Sequence, residues 1–256
     1  MLAQLAAIAW NGFREARRNR VTIVVAIFAV VLMLATALIT ELTVTTFRRV
    51  VVDFGLGTMT LLLVVLAVFL STGQLSKEID RRTIFLLVTK PIGRGTFVVG
   101  RLLGTILTVS VLQAAMGALF FIELDLVGES VGAAQVQAVG MLTFELMILA
   151  SIGTLMATFA ETLTSVMVTG SVFLAGHLSS DLYQMASKAK APAIKAAGQV
   201  AYWLIPNLSR VSFRSQATYD QVSPGETLLS AAGYALVWVA FATSAAVIVF
   251  QRRDFK

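Results

Sequence analysis

Residues 21–40 read VTIVVAIFAVVLMLATALIT, twenty positions with no charge, no Gly and no Pro. At ~1.5 Å rise per residue, about 20 apolar residues cross a hydrocarbon core of ~30 Å. Five further runs of this kind follow, at about 54–75, 97–122, 136–160, 162–180 and 227–250. The fifth of the six, within TLTSVMVTGSVFLAGHLSS, is diluted by Ser, Thr, Gly and one His. Lipid offers unpaired backbone groups nothing to bond with, so each run is expected to be a helix. The composition agrees: 57% of the 256 residues are hydrophobic, 13% are charged and the mean hydropathy is +0.85, where soluble domains carry about 25% charged residues. The expected fold is therefore an all-α membrane protein, one transmembrane domain over residues 1–256 with six transmembrane helices.

Upstream of the first run lie Arg14, Arg17, Arg18 and Arg20. This basic region is spread over twenty residues and the apolar run exceeds an ordinary signal-peptide core, which favours a retained first span. Threading six spans places thirteen of the twenty Lys and Arg on the side of the two termini, including Lys77, Arg81, Arg82, Lys90, Arg94 and Arg101. Seven fall on the other side, and the 123–135 connection there is acidic only. By the positive-inside rule both termini and the 77–94 loop are expected to be cytoplasmic, in a multi-pass membrane protein. The same placement accounts for the pI of about 10.0 and the net charge of +6 beside a lipid bilayer, with no nucleic acid partner.

Two elements do not span. On a helix of 3.6 period, residues 2–18 put Leu2, Leu5, Ala6, Ala9, Trp10, Phe13 and Ala16 on one face, with Gln4, Asn11, Arg14, Glu15 and Arg18 opposite. A Trp-bearing amphipathic helix beside an Arg cluster is expected to lie in the membrane interface over residues 1–20, with Trp10, Phe13, Arg14 and Arg18 at its surface. The second is the exterior stretch 183–226, whose portion APAIKAAGQVAYWLIPNL is too apolar for a free loop and is expected to form a helix ended by Pro206.

Catalytic patterns are missing. No G-x-x-x-x-G-K-[ST] is present to cradle ATP phosphates, and there is no G-x-S-x-G. His177 is the only histidine and there is no cysteine, so a zinc site of three or four protein ligands has no donors. Nine scattered methionines read as packing residues. The chain is expected to bind no cofactor or metal itself and not to be an enzyme. One residue stands apart: Glu145, in MLTFELMILAS, is about nine residues into the fourth span and so ~13 Å deep. A carboxyl at that depth is expected to line a substrate path or cavity or a subunit interface, or else to be protonated or bonded to a neighbouring Ser or Thr.

The charge-dense stretch 77–94, KEIDRRTIFLLVTKPIGR, interrupts the second and third runs. As a helix it puts Ile79, Thr83 and Leu86 on one side and Ile84, Phe85 and Val88 on the other, with Arg81 among the latter, so that two sides are largely apolar. A helix lying free on a membrane has one apolar face. Two such faces suit a segment held between the membrane domain and a second body, with Glu78, Asp80, Arg81 and Arg82 offering charge-assisted contacts.

The stretch GQLSKEIDRRTIFLLVTKPIGRGTFVVGRLLG resembles the loop between spans two and three of ABC-2-type ABC transporter permeases, E-x-x-x-x-T-x-x-x-L-L-x-x-P-[IV]-x-R followed by G-[KR]-x-x-G. The matching positions are Glu78, Thr83, Leu87, Pro91, Ile92, Arg94, Gly100, Arg101 and Gly104. WNGFREARRNR is similar to the family's N-terminal T-F-R-E-x-x-R-[ND]-[KR] helix through Phe13, Arg14, Glu15, Arg18, Asn19 and Arg20, with Gly12 in place of the Thr. WLIPNL before the sixth span and VFQRRDF at the end resemble the family's L-[LI]-P-N-L segment and its cytoplasmic stop. The resemblance covers nearly the whole chain. It implies the permease subunit of an ATP-binding cassette transporter that pairs with a second permease subunit as a homo- or heterodimer. Each permease would dock a cytoplasmic ABC ATPase subunit that binds ATP and Mg, for export or membrane remodelling. It further implies a coupling helix in the loop, with Glu78, Arg81, Arg82, Phe85, Lys90, Pro91 and Arg94 at the docking surface. The competing reading is an ATP-independent secondary transporter or channel with Glu145 as its coupling or pore residue.

Overall fold

The computed structural model describes residues 2–18, 21–42, 46–80, 93–189 and 191–252. Regular structure among them is helical throughout, with no strand. The elements are α1 (Leu2–Arg18), α2 (Ile23–Leu42), α3 (Phe47–Asp80), α4 (Arg94–Leu126), α5 (Ala133–Ala157), α6 (Thr162–Ser187), α7 (Pro192–Leu204), a 3-10 turn at Leu208–Arg210, α8 (Arg214–Thr218) and α9 (Gly225–Arg252). Six of them, α2 to α6 and α9, are long and apolar enough to cross a bilayer.

The helices outrun the apolar stretches that announce them. The second span, expected from 54, begins at Phe47 and carries Arg48, Arg49 and Asp53 inside the helix. The third continues to Leu126 and the fourth starts at Ala133, which reduces the 123–135 connection to a short turn through Gly128, whose φ of 80° suits glycine. Hydropathy ends a span where charge begins, but backbone hydrogen bonding carries on into water or headgroups. α7 starts at Pro192, where a missing N–H costs nothing, and stops short of Pro206, whose ring disfavours helix in the residue before it.

α5 is the axis of the bundle. It packs against α3, α4, α6 and α9, and its span is the most enclosed of the six. Met59 and Leu63 of α3, Met116 and Phe120 of α4, and Ile148 and Leu149 of α5 form a core with no exposed surface. α2 and α6 lie at the periphery and turn Val30, Met33, Leu34 and Leu38, and Leu163, Met167, Leu174 and Leu178, outward. Such outward apolar faces are the ordinary surface of a multi-pass membrane protein.

Past α7, which rests on α6, the chain turns inward. Leu208, Val211 and Phe213 are buried against the spans. Asn207 fixes the turn: its backbone N–H donates to Tyr234 Oη of α9 at 2.7 Å and its Nδ2 donates to Ser180 Oγ of α6 at 2.7 Å. The segment from Pro206 to α8 is thus a plug seated in the end of the bundle away from the termini.

Candidate functional site

At the end that carries both termini, α1 lies across α4. The contact is made by small residues. A Cβ at Gly100 would fall 2.8 Å from Ile8 Cβ, and one at Gly104 would fall 2.9 Å from the backbone oxygen of Ala9. Gly12 and Ala16 of α1 are buried in the same seam. The G-R-L-L-G of α4 therefore brings a non-spanning helix close, as small-x-x-x-small patterns do for helices generally. The packed face of α1 runs through Ile8, Gly12, Glu15 and Ala16, between the apolar and polar faces read from sequence. Trp10 keeps 54% of its surface exposed, Phe13 is half-buried with its ring 5.4 Å from that of Trp10, and Arg14 and Arg18 are exposed. Across the seam Arg101 Nη1 donates to Glu15 Oε2 at 3.0 Å. Its guanidinium also sits 5.9 Å from the centre of the Phe97 ring.

The opposite flank of α4 is held by α9. Arg94 Nη1 donates to the Gln251 carbonyl at 3.2 Å, and the Phe97 and Phe250 rings stack with centroids 6.2 Å apart. The first turns of α4 are clamped from both sides, directly after the charge-dense loop. Of the residues assigned to docking, Arg94 has a described side chain. Glu78 is placed by the backbone of α3, while Arg81, Arg82, Phe85, Lys90 and Pro91 lie outside the described residues.

Deeper in the bundle, Glu145 is 1% exposed at the middle of α5. Its Oε1 accepts no hydrogen bond, and among the described residues His177 Nε2 of α6 stands 3.6 Å from it. His177 Nδ1 lies 3.3 Å from the Phe173 carbonyl. With Nδ1–H donating there, Nε2 and the carboxylate approach favourably when one proton sits between them. The chain's only histidine thus stands opposite Glu145, a neighbour that the sequence reading, which offered a Ser or Thr, did not name. Arg214 forms the roof over this pocket together with Phe213, Ser212 and Val211 of the plug. The guanidinium of Arg214 lies over Gly57 of α3, where a Cβ would fall 2.7 Å from Cζ, and grips Asp53 through Nε–Oδ1 and Nη2–Oδ2 contacts of 2.8 Å each. It holds the Asp53 carboxyl with both of its forks.

From residue 6 to residue 255 the sequence matches the family described as ABC-2 family transporter protein. The chain belongs to that family. No curated protein matches it. In this ABC-2 family membrane protein the clamp on α4 uses residues from two of the quoted motifs, Glu15 from the N-terminal helix and Gly100, Arg101 and Gly104 from the end of the loop. The Asp53–Arg214 grip escaped sequence reading because the two residues are 161 positions apart and Asp53 stood outside the expected span. Both side chains are nearly half exposed, at 48% and 44%, so the pair is worth only ~0.5 kcal/mol. Asp53→Asn is accordingly expected to lower the melting temperature in detergent by no more than a few degrees. A collapse of the folded protein in a thermal melt would show that the grip holds the plug in place.

Proposed function

We propose that this chain is the permease subunit of an ABC transporter, with both termini and the 77–94 loop in the cytoplasm of an inner membrane. A separate ATPase subunit would dock on that loop and on α1, bind ATP with Mg, and drive export or membrane remodelling through a pair of permease subunits. Family membership supports the transporter class, and the Lys and Arg asymmetry supports the orientation. The observation that carries the coupling role is the clamp on the first turns of α4. A push on the loop would reach a helix whose start is fixed to α1 by Glu15–Arg101 and to α9 by Arg94 and Phe97–Phe250, so it would move these elements as a body.

The test is a gentle-detergent pull-down of tagged protein from native membranes, with mass spectrometry of what accompanies it. A stoichiometric P-loop ATPase is expected, and Arg81→Glu with Phe85→Ala is expected to release it while the permease stays in the membrane. Retention of the ATPase by that variant overturns the docking assignment. A protein that comes alone and transports in proteoliposomes without ATP would favour the secondary transporter, for which the pairing of buried Glu145 with His177 is the supporting observation.

A further inference from the structure

A cleft of about 790 Å³ opens on the exposed apolar face of α3 at the end away from the termini, between that helix and α8. Its wall on α3 is a single face, Arg49 and Val50, then Asp53 and Phe54, then Gly57 and Thr58, then Leu61. α8 and the residue after it supply Arg214, Ser215, Thr218 and Tyr219. Polarity is graded along the cleft. The charged and hydroxyl groups gather toward the helix start, while Val50, Phe54 and Leu61 present exposed apolar surface, continued down the helix by Val65 and Phe69. From Arg49 to Leu61 is twelve residues, or ~18 Å of helix, a distance comparable to a membrane acyl chain.

The charge balance at the polar end favours an anion. Asp53 is occupied: Oδ1 accepts from Arg214 Nε and Thr218 Oγ1, and Oδ2 accepts from Arg214 Nη2. Arg48, the neighbour of Arg49, turns away to Glu129 at 3.2 Å, Asp220 at 3.4 Å and the Ser130 carbonyl at 2.8 Å. Arg49 is left with the Tyr219 ring, 5.3 Å from its Cζ, and with no carboxylate among the described residues. A guanidinium steadied by an aromatic face and flanked by Thr and Ser hydroxyls suits a phosphate group. A free phosphate would leave the long apolar wall unused, whereas a lipid uses both ends.

We propose that this cleft is a binding site for one anionic phospholipid of the surrounding leaflet, its phosphate on Arg49 and its acyl chain along Val50, Phe54 and Leu61. The site would hold its lipid whether or not an ATPase is docked, so it stands or falls separately from the transporter reading. Lipid here would wedge between α3 and the plug, next to the Arg214 that roofs the Glu145 pocket.

The test uses the full chain in phosphatidylcholine nanodiscs containing a phosphatidylglycerol with a photoreactive acyl chain, with labelled peptides located by mass spectrometry. Labelling is expected to concentrate on residues 50–61 and 214–219. It should fall about tenfold in Arg49→Glu and less in Arg49→Gln, as loss of one charge-assisted contact implies. Arg49 is exposed and its loss leaves no buried partner, so both variants should fold. Excess inorganic phosphate should leave the pattern unchanged. Equal labelling on the outward face of α2 would reduce the site to ordinary boundary lipid and overturn the proposal. Undiminished labelling in both Arg49 variants would do the same, as would displacement by inorganic phosphate. An unlabelled cleft, with Phe54→Cys forming a disulfide between two copies, would assign this face to a second copy of the chain instead.

Discussion

Replacing Gly104 with Leu is expected to lift α1 off α4 while leaving the six spans inserted. The physical reason is the identity of the atom in the way. A Cβ at position 104 would meet the Ala9 backbone oxygen at 2.9 Å and its Cα at 3.4 Å, and backbone cannot rotate aside as a side chain can. Overpacking a close seam costs roughly 1–3 kcal/mol when the structure can relax around it. Here relaxation means moving a surface helix whose principal partner is α4 itself, with the Glu15–Arg101 pair adding about 1 kcal/mol at most. The seam should open. Gly140 provides the control, because nothing lies within 4 Å of the Cβ it would gain, and Gly140→Leu adds helix propensity on an exposed face. Hydrogen exchange read by mass spectrometry should show residues 2–18 losing protection in Gly104→Leu and keeping it in Gly140→Leu. The same Gly104 variant should fail to retain an ATPase in the pull-down if α1 belongs to the docking surface. Unchanged protection over 2–18 would mean that α1 is held by something other than this seam.

That prediction could be only half written from the sequence. The G-x-x-x-G of Gly100 and Gly104 is visible as a pattern that permits close approach, but the pattern does not say which helix approaches. Spans are legible because each is a property of about twenty consecutive residues, decided by transfer from water to lipid. Partners are not, because they depend on how helices distant in the chain settle against one another. α1 illustrates the limit. Its hydrophobic face is read from large side chains, yet its seam runs through Ile8, Gly12 and Ala16, since close packing selects small residues and hydropathy weighs large ones. The stretch too apolar to be free, 191–208, marked α7, and the plug that follows it had no such signal. Its seating depends on Asn207 reaching Ser180 and Tyr234, a three-element contact without local signature. Arg94, Gly100, Arg101 and Gly104 were singled out by resemblance, and at the start of α4 the two arginines make hydrogen bonds while the two glycines let α1 approach.

Glu145 and His177 call for the opposite kind of experiment, one in which removing both partners does less harm than removing one. His177→Leu leaves the Glu145 carboxyl at 1% exposure with no partner for an Oε1 that already accepts no hydrogen bond. An unsatisfied buried polar group costs about 1–3 kcal/mol, and loss of one member of a buried ion pair costs more. The lower part of that range applies here, because the His177 side chain is 32% exposed and the pair stands 3.6 Å apart. Glu145→Leu removes the expensive group outright, and the Glu145→Leu, His177→Leu double variant replaces a polar pair by apolar side chains that suit the surrounding core. Thermal melts in detergent should therefore rank His177→Leu lowest, with the double variant recovering most of the loss. Additive losses would show that the two groups do not interact. Where the double variant melts like the parent protein, its transport activity separates the two readings of the carboxylate. Normal activity makes the pair a packing solution that a greasier core can replace. A stable but inactive double variant would mean that the pair is retained at a cost in stability because cargo or coupling requires it, and that Arg214, lying between the pair and the Asp53 end of the cleft, is the next residue on that path.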